Sequence, residues 1–262
     1  FFGMFGKNTR LRYRINKIIR KIIMGINSKI YNKCDLVIVP SQSIKSILKN
    51  SGVKTKIEVI SNGIDTDLFA PKKIYSKNPN KIVYVGRISY EKNVDVLVRE
   101  FAKVSKNINS IKLNNVKLTI IGDGPALESV KDLVSSLNIK DKVLFVGAIK
   151  NDKLPKYYRE HDIFVTASTL ETQGLVILEA MGSGLPIIAV NKYAIPDSVK
   201  DGYNGYLVEE PREMHTKIEL MIQNSELVKK LGRNARRSVI KHDLIKTHIK
   251  LESVYSKLIR KQ

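Results

Sequence analysis

The stretch KIVYVG, residues 81–86, is an apolar run that ends in a glycine. Two later stretches have a similar form, KLTIIG at 117–122 and KVLFVG at 142–147. Apolar runs that do not alternate with polar residues are typical of parallel strands covered on both faces. We therefore expect three neighbouring parallel strands, each of which runs into its glycine.

Further apolar runs alternate with helical patterns along most of the chain. Strands are also predicted at 35–40, 56–61, 162–167, 186–190 and 205–209, and helices at about 93–107, 125–137, 153–160, 174–183 and from about 225 to the end. This alternation indicates βαβ units and an α/β fold with a parallel sheet. Ligands of such sheets bind beyond the carboxyl ends of the strands, where glycine lets the backbone approach them closely. Each glycine is also compatible with a simple tight turn.

A polar segment, APKKIYSKNPNK at 70–81, predicts a boundary between two parts of the chain. Residues 1–75 hold only two predicted strands, so we expect them to be the remnant of an N-terminal domain with its linker. Residues 76–240 are predicted to form a complete domain, and 241–262 a C-terminal helix that returns to the first part. Because the chain opens with FFGMFG and no initiator methionine, we expect it to start within a longer protein.

The composition excludes several classes of protein. A hydrophobic content of 43% over 262 residues supports a sizeable core and argues against global disorder. The lone cysteine, Cys34, forms no internal disulfide and no cysteine metal site, which fits a reducing cytoplasm. No apolar run reaches 18 residues, so the sequence predicts no membrane span.

The charge is strongly positive, with 46 lysines and arginines against 25 acidic residues and a net charge of +21. Such an excess predicts an anionic partner, namely nucleic acid, an anionic membrane surface or a phosphorylated substrate. A lysine-rich, solvated surface is the alternative interpretation. We expect no nucleic acid partner, because the chain lacks tryptophan, zinc-ligand spacing and a basic stretch interleaved with aromatic residues.

The front of the chain, residues 8–33, contains no acidic residue. Isoleucines and one leucine follow helical spacing there, and basic residues form a second stripe: Leu11, Ile15, Ile18, Ile22, Ile26 and Ile30, beside Arg10, Arg14, Lys17 and Lys21. A basic amphipathic helix is typical of segments that lie on anionic membrane surfaces. A helix that packs on the sheet with its basic face in water would show the same pattern.

The stretch ETQGLVILEAMGSGLP, residues 171–186, places one carboxylate, Glu179, in a helix that is otherwise apolar. Burial of an unpaired carboxylate costs several kcal/mol, so we expect a strong partner for Glu179. A lysine or arginine would serve, and so would a pair of ligand hydroxyls. Thr172 or Glu171 is expected to cap this helix beside Gly174, and the helix start would favour an anion.

This stretch resembles the E-x7-E motif of retaining GT-B glycosyltransferases that use nucleotide sugars, and it looks most like that of diacylglycerol glucosyltransferases. Five further segments resemble the same family in its order and spacing: SNGIDTDLF (61–69), VYVGRISYEKNVDVLVREF (83–101), LTIIGDGP (118–125), VLFVGAI (143–149) and GYNGYLV (202–208). The resemblance implies a Rossmann-like donor domain and a truncated N-terminal Rossmann-like domain.

The resemblance also implies roles for particular residues. Arg87 and Lys92 match the two cations that clamp the donor pyrophosphate, where fixed positive charge stabilises the leaving group. Glu179 matches the ribose-binding glutamate, and Glu171 the catalytic-site glutamate that contacts the transferred sugar. The remaining donor contacts are expected from Gly174 and Leu175 near phosphate or sugar, and from Ile149 in the base pocket.

The implied reaction moves a hexose from a nucleotide sugar, expected to be a UDP-sugar, to an acceptor with retention. The residues do not choose between a covalent intermediate and front-face attack. The expected acceptor is a membrane lipid such as diacylglycerol, at the cytoplasmic face of the membrane; a sugar, polysaccharide or protein acceptor is the alternative. No cofactor or metal is expected, because Arg87 and Lys92 would take the place of a metal ion, and the D-x-D sequence at 65–67 lies in the linker match.

Overall fold

The computed structural model describes residues 22–106 and 115–260. Each strand predicted from the sequence is present, with ends that differ by no more than two residues. The strands are β1 (Val37–Val39), β2 (Ile57–Val59), β3 (Lys81–Val85), β4 (Lys117–Ile121), β5 (Val143–Gly147), β6 (Ile163–Thr166), β7 (Ile187–Val190) and β8 (Gly205–Val208). The predicted α/β class is therefore confirmed.

The predicted helices are also present, and the structure adds three that the sequence patterns had not indicated. In chain order the helices are α1 (residues 22–31), α2 (Gln42–Asn50), α3 (Val94–Ser105), α4 (Leu127–Ser136), α5 (Leu154–Glu160), α6 (Leu175–Gly182), α7 (Ile195–Ser198), α8 (Met214–Gln223), α9 (Ser225–Val239) and α10 (Leu244–Ile259). The additional ones are α2, α7 and α8. Residues 8–21 of the expected amphipathic helix lie outside the described residues.

Six strands form one parallel sheet in the order β5-β4-β3-β6-β7-β8, and β1 and β2 form a separate parallel pair. Along the chain, β4 and then β5 are added on one side of β3, and β6, β7 and β8 are then added on its other side. The direction of winding therefore reverses between β3 and β6, and a crevice opens beyond their carboxyl ends. The three strands that end in glycine are parallel neighbours, as predicted.

The sheet is covered on both faces, which explains why its strands do not alternate with polar residues. Along β3, Ile82 and Tyr84 belong to one buried cluster with α3, α4 and α8. Val83 and Val85 belong to the other cluster, with α5, α6 and α9. Each of these four side chains is buried, so the crevice is built on a rigid support.

The loops that follow β3 and β4 touch each other at two glycines. Gly122 has φ 139°, and a Cβ built on it would lie 1.9 Å from the carbonyl oxygen of Gly86. No side chain fits in that space, so a residue with a Cβ would force the two loops apart. The glycines thus set the floor of the crevice.

The start of α10 is attached to the segment between β2 and β3. The amide of Ile64 donates to His242 O and the amide of Leu244 donates to Ile64 O, both at 2.9 Å. Asp243 accepts a 2.6 Å hydrogen bond from the Thr66 hydroxyl, and Lys250 donates to Val59 O at 2.6 Å. The last helix therefore contacts the early part of the chain, while the exact domain boundaries stay predictions.

None of the helices within the described residues combines the length and the apolar character that a membrane span would require.

Candidate active site

A cavity of about 200 Å³ lies beyond the carboxyl ends of β3 and β6, at the crevice where the sheet reverses direction. Its lining comes from the ends of β3 and β6, from the loops that follow them, and from the first turn of α6: Tyr84, Val85, Gly86, Arg87, Lys92, Thr166, Glu171, Gly174, Leu175 and Val176. Five of the seven predicted site residues are in this lining. Ile149 and Glu179 are not.

Lys92 and Glu171 form an ion pair across the cavity. The Lys92 ammonium lies 2.6 Å from Glu171 Oε1, and the two side chains are 21% and 15% exposed. Asn93, in the left-handed conformation with φ 51°, donates from its side chain to Ala167 O at 3.1 Å. That bond holds the loop after β3 against the loop after β6, so the ion pair joins two segments that are already fastened together.

The side chain of Arg87 is exposed at the rim of the cavity, and its backbone carbonyl accepts a hydrogen bond from a buried tyrosine. The hydroxyl of the buried Tyr84 donates a 2.9 Å hydrogen bond to Arg87 O. Burial raises the pKa of Tyr84, and the negative charges of Glu171 and Glu91 raise it further. The phenol therefore stays protonated and keeps its donor role at any physiological pH.

Helix α6 begins differently from the expectation. The capping position is taken by Gly174 itself, with φ 73°, and neither Thr172 nor Glu171 caps the helix through its side chain. A Cβ at Gly174 would lie 3.0 Å from Ile177 Cδ1, and L side chains rarely adopt its backbone conformation. To cap the helix, Thr172 or Glu171 would have to occupy the position directly before the first turn. The backbone conformation at that position favours glycine.

Two backbone N–H groups in the first turn of α6 donate no hydrogen bond within the described part of the chain. The amides of Ile177 and Leu178 bond back to Gly174 O at 2.9 and 3.2 Å. The amides of Leu175 and Val176 have no acceptor within the described part of the chain. Both residues line the cavity, where such donors and the helix dipole favour an anion.

Glu179 is buried more deeply than predicted, and its hydrogen-bond partner is neither a lysine or arginine nor a ligand hydroxyl. Its side chain is buried, and Glu179 Oε2 accepts a 3.0 Å hydrogen bond from the Tyr158 hydroxyl. No lysine or arginine of the described residues forms an ion pair with it. Burial raises the pKa of Glu179, and hydrogen bonds with Tyr158 and Asn151 oppose that rise. Glu179 is therefore not in the cavity lining that contains Arg87 and Lys92, and its carboxylate contacts α5 instead. Its role in binding the donor stays a prediction.

Ile149 is also outside the cavity lining. It is partly buried and packs against the cluster that contains Val85 and Ile177. The turn before it is joined to the crevice, because the amide of Gly122 donates to Gly147 O at 2.8 Å. The structure therefore brings this turn next to the glycine loops, and the place of Ile149 in a base pocket stays a prediction.

Gln173 is a residue of the site region that the sequence analysis missed. Its side chain is 4% exposed; Oε1 accepts from the amide of Asn62 at 3.0 Å, and Nε2 donates to the Ser61 hydroxyl. These bonds tie the loop that carries Glu171 to the segment after β2. The only signal in the sequence was the position of a long amide side chain between Glu171 and Gly174.

The D-x-D sequence serves the local turn. Asp65 Oδ1 accepts from the amides of Asp67 and Leu68 at 3.0 and 2.8 Å. Across residues 22–106 and 115–260, His, Cys, Asp and Glu form no group of three or more that could hold a metal ion.

Comparison with known families supports a common origin for nearly the whole chain. The model described as "Glycosyl transferases group 1" matches residues 65–238. A second model, "Glycosyltransferase Family 4", matches residues 3–68. Together the two matches cover the segments that carry the resemblance found in the sequence.

Two curated relatives differ in what their names say they act on. The chain is 34% identical to an alpha-monoglucosyldiacylglycerol synthase of Streptococcus pneumoniae, over 66% of this chain and 41% of the relative. It is 26% identical to an N-acetyl-alpha-D-glucosaminyl L-malate synthase of Bacillus anthracis, over 88% of this chain and 58% of the relative. The chain spans about half the length of the curated relatives that it matches.

A solved structure shares the fold over most of the chain. A point mutant of S. aureus TarM, in complex with fondaparinux, alpha-GlcNAc-glycerol and UDP, superposes with a TM-score of 0.78 at 25% identity. The superposition covers 90% of this chain and 46% of that chain.

Proposed function

Because the chain belongs to the glycosyl transferases group 1 family, we propose that the protein moves a hexose from a nucleoside-diphosphate sugar to an acceptor, with retention at the anomeric carbon. One observation carries the proposal. Arg87, Lys92, Glu171 and the spare amides of α6 line a single cavity where the sheet reverses direction. Cations and helix amides are suited to a diphosphate, and a carboxylate beside them is suited to a sugar.

The proposed chemistry needs positive charge where the leaving diphosphate develops negative charge. Arg87 and Lys92 would supply it as fixed side-chain cations, and the amides of Leu175 and Val176 would add two hydrogen bonds. A preorganised set of donors costs little reorganisation during the reaction. We propose on this basis that transfer requires no metal ion and no cofactor. A UDP-sugar is the proposed donor, and UDP is named in the complex of the similar TarM structure.

Glu171 and Glu179 would have separate roles. Glu171, in the cavity, would contact the transferred sugar near the reacting carbon. Glu179, below the cavity, would hold the ribose hydroxyls once the nucleotide occupies the crevice. The E-x7-E spacing, which resembles that of retaining enzymes, supports this division between the loop before α6 and the second turn of α6.

A membrane lipid such as diacylglycerol is the proposed acceptor. The synthase relative from Streptococcus pneumoniae supports this choice, and so does α1, whose isoleucines are exposed: Ile22 57%, Ile23 50%, Ile26 54% and Ile30 56%. At about 100° per residue they fall on one side of the helix, next to Lys29. An exposed apolar stripe with a flanking lysine favours the surface of an anionic bilayer, which we propose to be the cytoplasmic one.

The experiment uses the full-length protein with radiolabelled UDP-glucose and phosphatidylglycerol vesicles that contain diacylglycerol. We expect a labelled glycolipid with an α-linkage, which nuclear magnetic resonance of the anomeric proton identifies. A β-linked product would contradict retention. Label transferred to a water-soluble sugar or malate and not to lipid would favour the alternative acceptor, as in the Bacillus anthracis relative.

Membrane contact has its own test. Ile23→Gln and Ile26→Gln together should reduce flotation with phosphatidylglycerol vesicles. Ile74→Gln, at an isoleucine that is 84% exposed elsewhere, is the matched control and should float normally. Equal flotation of both variants would contradict a role for α1.

A further inference from the structure

The hydroxyl of Tyr158 is held in place by packing. The Tyr158 side chain is completely buried, and its ring packs edge-on against Phe69 at 5.9 Å between centroids and tilted against Phe164 at 6.2 Å. A ring enclosed in this way has little rotational freedom. The hydroxyl at its end therefore occupies one fixed point between α5 and α6.

That point lies within reach of two groups on α6. The hydroxyl is 3.0 Å from Glu179 Oε2 and 3.4 Å from the carbonyl oxygen of Val176. A phenol has one proton to donate, and the shorter contact to the carboxylate is the stronger hydrogen bond. Val176 belongs to the first turn of α6 and lines the cavity. A single hydroxyl thus touches both the buried carboxylate and the turn that carries the spare amides.

A buried carboxylate with few partners is sensitive to the loss of any one of them. Within the described residues, the groups that act on Glu179 are Tyr158 and Asn151, and neither carries a positive charge. Burial already raises the pKa of Glu179. Removal of the Tyr158 hydroxyl would raise this pKa further, because the hydroxyl stabilises the ionised form. A protonated, unanchored Glu179 would accept ligand hydroxyls less well.

We propose that Tyr158 is a positioning residue for nucleotide binding, which fixes Glu179 as an ionised, oriented acceptor beneath the cavity. This inference rests on the proposed function, since it assigns Glu179 to the ribose of the donor. It adds a residue of α5 that is not itself in the cavity lining and that contacts the lining at the Val176 carbonyl. The competing explanation is that Tyr158 only fills the core between Phe69 and Phe164.

The test is calorimetry of UDP binding to the full-length protein from pH 5.5 to 8.5, with Tyr158→Phe as the variant. Phenylalanine keeps the ring and its packing and removes only the hydroxyl. We expect UDP affinity to fall about tenfold near neutral pH, the effect of losing one hydrogen bond to a charged group. We also expect the loss of affinity on acidification to begin at a higher pH than in the wild type. Tyr157→Phe, at the neighbouring and less buried tyrosine, should bind UDP as the wild type does.

A second pair of variants separates positioning from packing. In a Glu179→Gln background, Tyr158→Phe should cause little further loss of UDP affinity, because its effect passes through the carboxylate. An equal loss in both backgrounds would overturn the proposal. Wild-type affinity of Tyr158→Phe at every pH would overturn it too, as would a variant too unstable to measure, since the hydroxyl would then be structural. Failure of the wild type itself to bind UDP would instead overturn the proposed function on which the inference rests.

Discussion

The ammonium of Lys92 lies 2.6 Å from a carboxylate oxygen of Glu171, although 79 residues separate them in the chain. Lys92 ends the short 3-10 turn Tyr90–Lys92 after β3, and Glu171 precedes α6 after β6. Because β3 and β6 are adjacent in the sheet, the two loops meet at the crevice. The cation proposed for the donor phosphates and the carboxylate proposed for the sugar therefore share one pocket, and an arriving diphosphate would compete with Glu171 for Lys92.

Loss of either proposed phosphate cation should weaken nucleotide binding. In the full-length protein, Arg87→Ala and Lys92→Ala should each cost about 1.5–3 kcal/mol of UDP binding, the range for a charge-assisted hydrogen bond, or roughly 10- to 150-fold in Kd. Calorimetry measures the change. Lys77→Ala, at an exposed lysine in the linker, should leave the Kd unchanged. Unaltered UDP affinity in both site variants would contradict the clamp.

Substitution of Glu171 should mainly affect the chemical step, and substitution of Glu179 should mainly affect binding of the donor. Glu171→Gln removes a carboxylate that would act on the sugar, so we expect kcat to fall while UDP affinity is kept or rises, because Lys92 loses its partner. Glu179→Gln should instead raise the donor KM and weaken UDP binding. Steady-state kinetics and calorimetry on both variants make the comparison. If Glu171→Gln lost UDP affinity and kept kcat, the assigned roles would be reversed.

The hydrogen bonds of the Gln173 side chain should contribute to the free energy of unfolding. Gln173→Ala leaves the amide of Asn62 and the Ser61 hydroxyl without their buried partner, which typically costs about 1–3 kcal/mol. Urea unfolding should show this decrease in the free energy of unfolding. Gln223→Ala, at an exposed glutamine at the end of α8, is the control and should change it little. Equal stability of the two variants would show that the bonds to Ser61 and Asn62 are not needed.

Stability should fall as the pH decreases below about 6.5, the ordinary pKa of histidine. Burial lowers the pKa of His161, whose Nδ1 donates to Tyr157 O and whose Nε2 accepts from Thr119. Burial likewise lowers the pKa of His242 to about 4. The unfolded chain therefore binds more protons than the folded one below pH 6.5, and acid favours unfolding. The raised pKa of Glu179 acts in the opposite direction.

Urea unfolding at pH 7 and pH 5 measures this dependence. His161→Gln removes one of the two histidines with a lowered pKa, so its free energy of unfolding should change less between the two values than that of the wild type. An unchanged difference would mean that His161 does not contribute to the acid sensitivity.

Glycosyl transfer should survive removal of divalent metal. We propose that Arg87 and Lys92 supply the charge that a metal ion would otherwise provide, so excess EDTA should leave the rate of transfer unchanged. The measurement is release of UDP with and without the chelator, and readdition of Mg²⁺ or Mn²⁺ serves as the control. Abolition of transfer by EDTA with recovery on readdition would contradict the proposal.

The fold class could be predicted from the amino-acid sequence, because the signals for it are local. The runs at 81–86, 117–122 and 142–147 are each apolar and each end in a glycine. Apolar and polar residues do not alternate in them because both faces of the sheet are buried. Gly174 was placed at the crevice by the same logic, since it stands at a predicted helix start. Arg87 and Lys92 were singled out by the resemblance to the GT-B family, since they are otherwise two of many basic residues. Helix α8 was missed although Met214, Ile218, Met221 and Ile222 have helical spacing.

The contacts between distant side chains could not be predicted from the sequence and depend on the three-dimensional packing. The ion pair of Lys92 with Glu171 depends on the adjacency of β3 and β6, which are not consecutive strands, and no local pattern encodes that order. The bond of Tyr158 to Glu179 depends on how α5 and α6 pack on one face of the sheet. The cap at Gly174 depends on a backbone conformation that the loop after β6 imposes. Long-range packing, and not residue spacing, therefore set the partners and the depth of the two glutamates.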